Sequence, residues 1–183
     1  MKKTFTAFGV ILLISTILLS CGNMKKEEKN AEATLTAAAN NPDNTLLIKA
    51  ANDSFYAALN AMFTGNLEPM VAIWSHSENI TDMGPFGGRL TGWKAVHEEF
   101  EKEAAMKFGG KIVYKDLHTY AGTDMGYTVC IEEGENMSSE GKPVTVSHRA
   151  TNIFHLENGA WKMVHHQTDL SPQLEKTFEV ETQ

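Results

Sequence analysis

The chain has 183 residues with 16 Lys+Arg against 23 Asp+Glu, a formal charge of −7, and two cysteines. This length fits one ordinary domain with short extensions, and the acidic balance leaves no basic footprint for nucleic acid. Two cysteines, Cys21 and Cys130, are too few for a disulfide framework or a cysteine-rich metal site.

Lys2 and Lys3 precede an apolar run from Phe5 to Leu19, which ends in Leu18-Leu19-Ser20-Cys21. That order reads as a bacterial secretory signal, residues 1–20, closed by a lipobox. Cleavage before Cys21 and acylation of its thiol would follow. The run is shorter than the roughly 20 apolar residues of a transmembrane helix. Loss of the leader removes two lysines and no acid, so the mature chain is more acidic still. The expected location is the bacterial cell envelope, with a lipid anchor in the membrane. Residues 21–44 are rich in Lys, Glu, Ala and Asn with almost no large apolar side chain. Such a segment buries too little surface to offset its ordering entropy, so it reads as a tether. The domain is expected over 45–172, followed by a polar tail over 173–183. With Cys21 carrying lipid, Cys130 has no internal partner.

Ile48, Ala51, Phe55, Ala58, Leu59 and Met62 recur at spacings of three and four, and Gly65 closes the run, so a long amphipathic helix is predicted. A short helix follows from Asn66 as its cap, with Pro69 in the first turn, and ends near Trp74. Glu78 to Met83 alternates as a strand, Gly84 to Gly88 is a turn, and Trp93, Val96 and Phe100 begin a third helix that stops at Gly109-Gly110. The glycine cluster lacks the Lys-Ser/Thr of a phosphate loop. Glu98, Glu99, Glu101 and Glu103 read as the solvated face of the third helix. Four β-branched and aromatic runs complete the domain: Ile112 to Tyr120, Met125 to Glu132, Val144 to Leu156 and Trp161 to Asp169. Ala121 to Asp124, the Gly134 to Lys142 loop and Asn158-Gly159 separate them, the last as a type I′ hairpin turn. Helices followed by an antiparallel meander define an α+β fold with the helices on one face of the sheet.

A two-residue turn at Asn158-Gly159 pairs Phe154 with Met163, Asn152 with His165 and Ala150 with Gln167 on one face by strict alternation. The opposite face then carries Ile153, Val164, Thr151, His166, Arg149 and Thr168. Adjacent His165 and His166 point apart and make a poor chelating pair. No His-Glu-x-x-His and no cysteine cluster is present, so neither a metal nor a cofactor is expected. Gly-x-Ser-x-Gly is absent as well. If Ile80 faces the core, alternation aims Asp82 the same way, where desolvation would raise its pKa and suit it for moving protons. The alternative is that Asp82 caps the Gly84-Pro85 turn. Trp74, His76 and Tyr120 are candidates for a pocket wall, or for ordinary core aromatics.

Trp74, then Asp82-x-Gly84-Pro85 with Gly92 ten residues after the aspartate, resembles the first half of the SnoaL-like group of the nuclear transport factor 2-like superfamily. Arg149-x-Thr151 and Asn158-Gly159-x-Trp161-Lys162-x-Val164-His165 resemble its closing hairpin. The resemblance implies a cone-shaped barrel, a strongly bent antiparallel sheet wrapped around three N-terminal helices, and pairing as a homodimer through the sheet's outer face, where Ile153 and Val164 would lie. It also implies a cavity in which Asp82 matches the proton-transferring base of the ketosteroid isomerases and polyketide cyclases. The family often has a further histidine where this chain has Gln167.

Two functions are compatible with these residues. One is a pocket that binds a small apolar or carbonyl-containing ligand without chemistry. The other is an enzyme in which Asp82 shuttles a proton, with His165 or Arg149 donating to the developing oxyanion, and Trp74, His76, Tyr120 and Asn152 around the ligand. The balance of residues favours the first, because one aspartate stands without a visible partner acid. A buried Asp82 with a donor across the cavity would favour the second.

Overall fold

The computed structural model describes residues 42–85, 87–138, 141–172 and 174, which belong to one compact unit, Ala37–Gln183. The leader, Cys21, nearly all of the tether and most of the tail lie outside the described residues.

Helix α1 (Pro42–Met62) begins three residues before the expected Thr45, with Pro42 in the first turn, where the missing N–H costs no bond. Its buried stripe is Ile48, Ala51, Asn52, Phe55, Tyr56, Ala58 and Met62, the three-and-four spacing of a helix that lies on a sheet. Gly65 (φ 98°) ends it, with its N–H bonded to the Met62 carbonyl. Helix α2 (Glu68–Ile73) carries Pro in its first turn; Leu67 rather than Asn66 precedes it, without a side-chain cap. Trp74 then turns extended, bridges Met163, and leaves the next N–H, of Ser75, to bond the Met163 carbonyl.

Strands β1 (Thr81–Met83) and β2 (Leu90–Thr91) form a small antiparallel pair, and α3 (Trp93–Met106) follows from Gly92 at φ 83°. A Cβ at Gly92 would sit 2.8 Å from Glu78 Oε2. Strands β3 (Lys111–Ala121), β4 (Met125–Met137), β5 (Pro143–Glu157) and β6 (Ala160–Leu170) make the meander. The sheet order is β2-β1-β6-β5-β4-β3, and its two ends do not meet. The α+β class is as expected, but the sheet is mixed and open rather than an antiparallel barrel, because β1 runs parallel to β6. Two helices precede the first strand and the third follows the second.

Asn158 (φ 51°) and Gly159 (φ 82°) form the expected two-residue turn between Glu157 and Ala160. The loop expected from Gly134 is instead strand to Met137. Gly134 (φ 149°) sits where a Cβ would come 1.9 Å from the Lys111 carbonyl oxygen, so it permits close backbone approach rather than a break.

Two β-bulges decide which side chains face inward. In β3, Asp116 and Leu117 together stand opposite the single residue between Ile131 and Val129, with Asp116 at φ 53°. In β6, Ile153 pairs with His165 and Phe154 with Met163, which leaves Val164 as the extra residue. One inserted residue reverses the in/out alternation beyond it. Accordingly Tyr120 and His165 face outward, while His166 and Thr168 face the helices.

Candidate functional site

Between the helices and the sheet lies a cavity of about 340 Å³, near the lower end of the roughly 300–1,000 Å³ of ligand sites. Phe55, Met62, Met70, Trp74 and Phe100 form its apolar wall, and Asp82, Glu103, Glu132, His148, His166 and Thr168 bring polar atoms to it.

Asp82 enters because β1 is held between β6 and β2, pairing with His166 on one side and Leu90 on the other. It is 6% exposed, and its Oδ1 has no hydrogen-bond partner among the described residues. Burial raises its pKa to about 7; the Met83 backbone N–H opposes this and the nearby Glu99 charge adds to it. The turn-capping role is therefore confined to that one neighbouring N–H.

Glu132 on β4 is buried, and the Tyr56 hydroxyl donates to its Oε1 at 2.9 Å. Burial lifts Glu132 to about 7, Tyr56 pulls it down, and the Asp82 charge pushes it up. The same hydroxyl lies 3.2 Å from Cys130 Sγ, and burial pushes that thiol up to about 11. Glu103, half-buried on α3, is also raised to about 7, by burial first and then by Asp82 and Glu99. Like charges in one desolvated space cannot all ionise, so these carboxyls hold protons near neutrality as a coupled set.

His166 is pushed down to about 3 by burial and by neighbouring His165, so its ring is neutral. Its Nδ1 lies 2.6 Å from Asn152 Oδ1; Asn152 Nδ2 donates to Asn52 Oδ1, which also accepts from the Thr128 hydroxyl. With the amides so oriented, Nδ1 carries the proton and Nε2 is left as an acceptor. Thr168 Oγ1 and Trp74 Nε1 are buried without partners among the described residues.

The cavity thus contains two of the residues expected there, Asp82 and Trp74. Asn152 is buried behind His166 and orients it. The others lie elsewhere. His165 points outward, its Nδ1 2.7 Å from Thr81 Oγ1, because of the β6 bulge. Tyr120 stacks on Tyr127 on the outer face at 5.3 Å, because of the β3 bulge. His76 stacks on Trp93 at 4.0 Å and lines a separate outer groove with His97 and Lys162. That groove, about 570 Å³, borders the other side of Trp74 and holds no unpartnered buried carboxyl among the described residues. Arg149 is exposed and forms a two-point pair with Asp169, at 2.6 and 3.0 Å.

Glu103, Glu132, His148, His166 and Thr168 were missed by the sequence reading. Two had a signal. Glu103 stands three residues after Phe100 and seven after Val96, on the buried stripe of α3. Glu132 shares parity with Thr128 and Cys130 in a strand that alternates cleanly.

The site is thus an apolar cavity between helices and an open sheet, with a buried aspartate that keeps one oxygen unpartnered among the described residues on a short parallel strand. A model of the SnoaL-like domain matches residues 48–171, and the chain belongs to that family. Among solved structures it is similar to a protein titled as a dehydratase of the nuclear transport factor 2-like family from Streptomyces avermitilis. That pair is 21% identical over 72% of this chain and 99% of the other, with a TM-score of 0.63. A ketosteroid isomerase-like protein from Erwinia carotovora atroseptica gives 16% identity over 72% and 100%, with a TM-score of 0.59. A protein titled as a calcium/calmodulin-dependent protein kinase type II association domain from Thiobacillus denitrificans gives 25% over 67% and 94%, with a TM-score of 0.57. No curated protein matches the sequence.

Proposed function

We propose that the domain binds a small, largely apolar carbonyl compound in the inner cavity and that Asp82 transfers a proton on it. The observation that carries this reading is the Asp82 carboxyl, buried and raised to about 7, with one oxygen unpartnered at the cavity wall. A base with a pKa near the working pH combines the right protonation state with driving force. In the reaction, Asp82 takes a proton from the carbon beside the carbonyl, and a protonated Glu132 or Glu103 donates to the oxygen as charge develops. Returning the proton at another carbon gives an isomerase outcome. Expelling a leaving group from the neighbouring carbon gives a dehydratase outcome. The neighbours titled as a dehydratase and as ketosteroid isomerase-like fit this chemistry as analogies of fold.

The test is hydrogen–deuterium exchange at the carbons beside the carbonyl of cyclohexanone in deuterated buffer, followed by NMR. The wild-type protein should accelerate exchange and Asp82→Asn should lose at least about a hundredfold of that acceleration. Exchange no faster than in buffer alone would leave a pocket that binds without chemistry, and equal acceleration by both proteins would take the base role from Asp82. The lipid anchor at Cys21, export to the cell envelope and pairing through the outer sheet face complete the proposal. Exposed Val113, Met125, Tyr127 and Val129 on β3 and β4 support the pairing.

A further inference from the structure

The permanent charges at the inner cavity are acidic among the described residues. Asp82 reaches it from β1, Glu103 from α3 and Glu132 from β4, with Tyr56 of α1 behind Glu132, His148 from β5 and His166 from β6. No lysine or arginine lines the cavity among the described residues. None of the three acids has an ion-pair partner among them, whereas Glu99, one turn from Glu103, is matched by Lys102 at 2.8 Å. His166 is neutral and held by Asn152, so it supplies no cation. Three polar groups on cavity-lining residues more than nine-tenths buried have no hydrogen-bond partner among the described residues: Asp82 Oδ1, the Thr168 hydroxyl and Trp74 Nε1, on residues 6%, 5% and 1% exposed.

A carboxylate taken out of water without a partner is costly, and its protonated form is the resting compromise. A cation brought by the ligand supplies the absent partner and releases protons on binding. An anion meets only repulsion. Phe55, Trp74 and Phe100 also line the cavity, and aromatic rings attract organic cations.

We propose that the natural ligand of this cavity is an organic cation, an ammonium group on a compact apolar body, with one of Glu103 and Glu132 as its charge partner and the other keeping the proton it donates. This rests on the reading that the inner cavity is the ligand site and narrows the substrate to amine-bearing carbonyl compounds. The cation also favours ionised Asp82, so the same ligand that needs the base primes it.

The experiment titrates the full chain by ligand-detected NMR with three probes on one ring: cyclohexylmethylammonium, cyclohexanecarboxylate and cyclohexylmethanol. At pH 8 the ammonium should bind at least about tenfold more tightly than either other probe, and its affinity should drop at least about tenfold at pH 5 as the acids protonate. Glu103→Gln and Glu132→Gln together should remove the ammonium's advantage over the alcohol. The probe ranking and the pH series need only wild-type protein, so they stand if the double variant does not fold. A carboxylate that binds as tightly as the ammonium, an ammonium affinity that ignores pH, or no binding of any probe would overturn the proposal. None of the probes carries a ketone, so this outcome is separate from cyclohexanone exchange, which reads Asp82 chemistry alone.

Discussion

Replacing Asp82 with asparagine should change the stability of the domain by an amount that depends on pH and moves in the variant's favour as pH rises. In the unfolded chain an aspartate ionises near pH 3.9; in the fold Asp82 keeps its proton to about 7. Below pH 4 both states are protonated and the carboxyl leaves stability untouched. Between pH 4 and 7 the unfolded chain has lost its proton and the folded chain has not, so wild-type stability falls by about 1.4 kcal/mol per pH unit. Above pH 7 both are ionised and the loss levels off at about 4 kcal/mol, an upper bound because local relaxation eases the desolvation. The asparagine of Asp82→Asn does not titrate and escapes this loss, and the substitution also lifts the charge that pushes Glu103 and Glu132 upward. Burial of the extra amide N–H groups shifts the variant by a constant at every pH. The readout is therefore how the difference changes with pH. Urea denaturation from pH 4 to pH 8, followed by tryptophan fluorescence, to which the buried Trp74 and Trp161 contribute, measures it. The advantage of Asp82→Asn should grow by roughly 2–4 kcal/mol across that range. A difference that stays flat would show that Asp82 titrates as it does in an unfolded chain, and the reasoning would fail.

Val129 faces outward on β4 and is 40% exposed, so Val129→Glu should leave the fold intact and convert a dimer to monomers in sedimentation velocity. Val164, the outward residue expected from alternation, is the β6 bulge and packs partly against the core, which makes it a poorer probe of that surface. A wild-type monomer at high concentration, or an unchanged dimer in the variant, would count against pairing through this face. Cys21→Ser should abolish acylation and move the protein out of the detergent phase in a phase-partition assay. Retention there by the variant would refute the lipid anchor.

Much of the architecture was legible because helix and strand periods differ. The three-and-four spacing from Ile48 to Met62 placed α1 and its buried face, and Asn158-Gly159 set the closing hairpin to the residue. The inward aim of Asp82 followed from Ile80 two residues earlier. The remainder turned on features that leave no periodic trace. A bulge is one residue too many, at Val164 and at Asp116-Leu117, and each exchanged the inner and outer sets: His166 for His165 inside, Tyr120 outside. Gly134 read as a loop because a strand glycine and a turn glycine look alike until the approach of the Lys111 carbonyl is known. The parallel pairing of β1 with β6 joins segments far apart in the chain, which short-range patterns do not record. Glu103 and Glu132 were passed over for a different reason: a carboxylate is by default taken as solvated, although both occupy positions whose parity or stripe pointed inward.

Whether Asp82 is a proton-transferring carboxyl held in an apolar cavity is decided most directly by its own titration. Carbon-13 NMR of the side-chain carboxyl in uniformly labelled protein, assigned by comparison with Asp82→Asn, measures it. The midpoint should lie near pH 7, set by desolvation of the residue between β6 and β2. A midpoint near 4, the value of a solvated aspartate, would contradict that role.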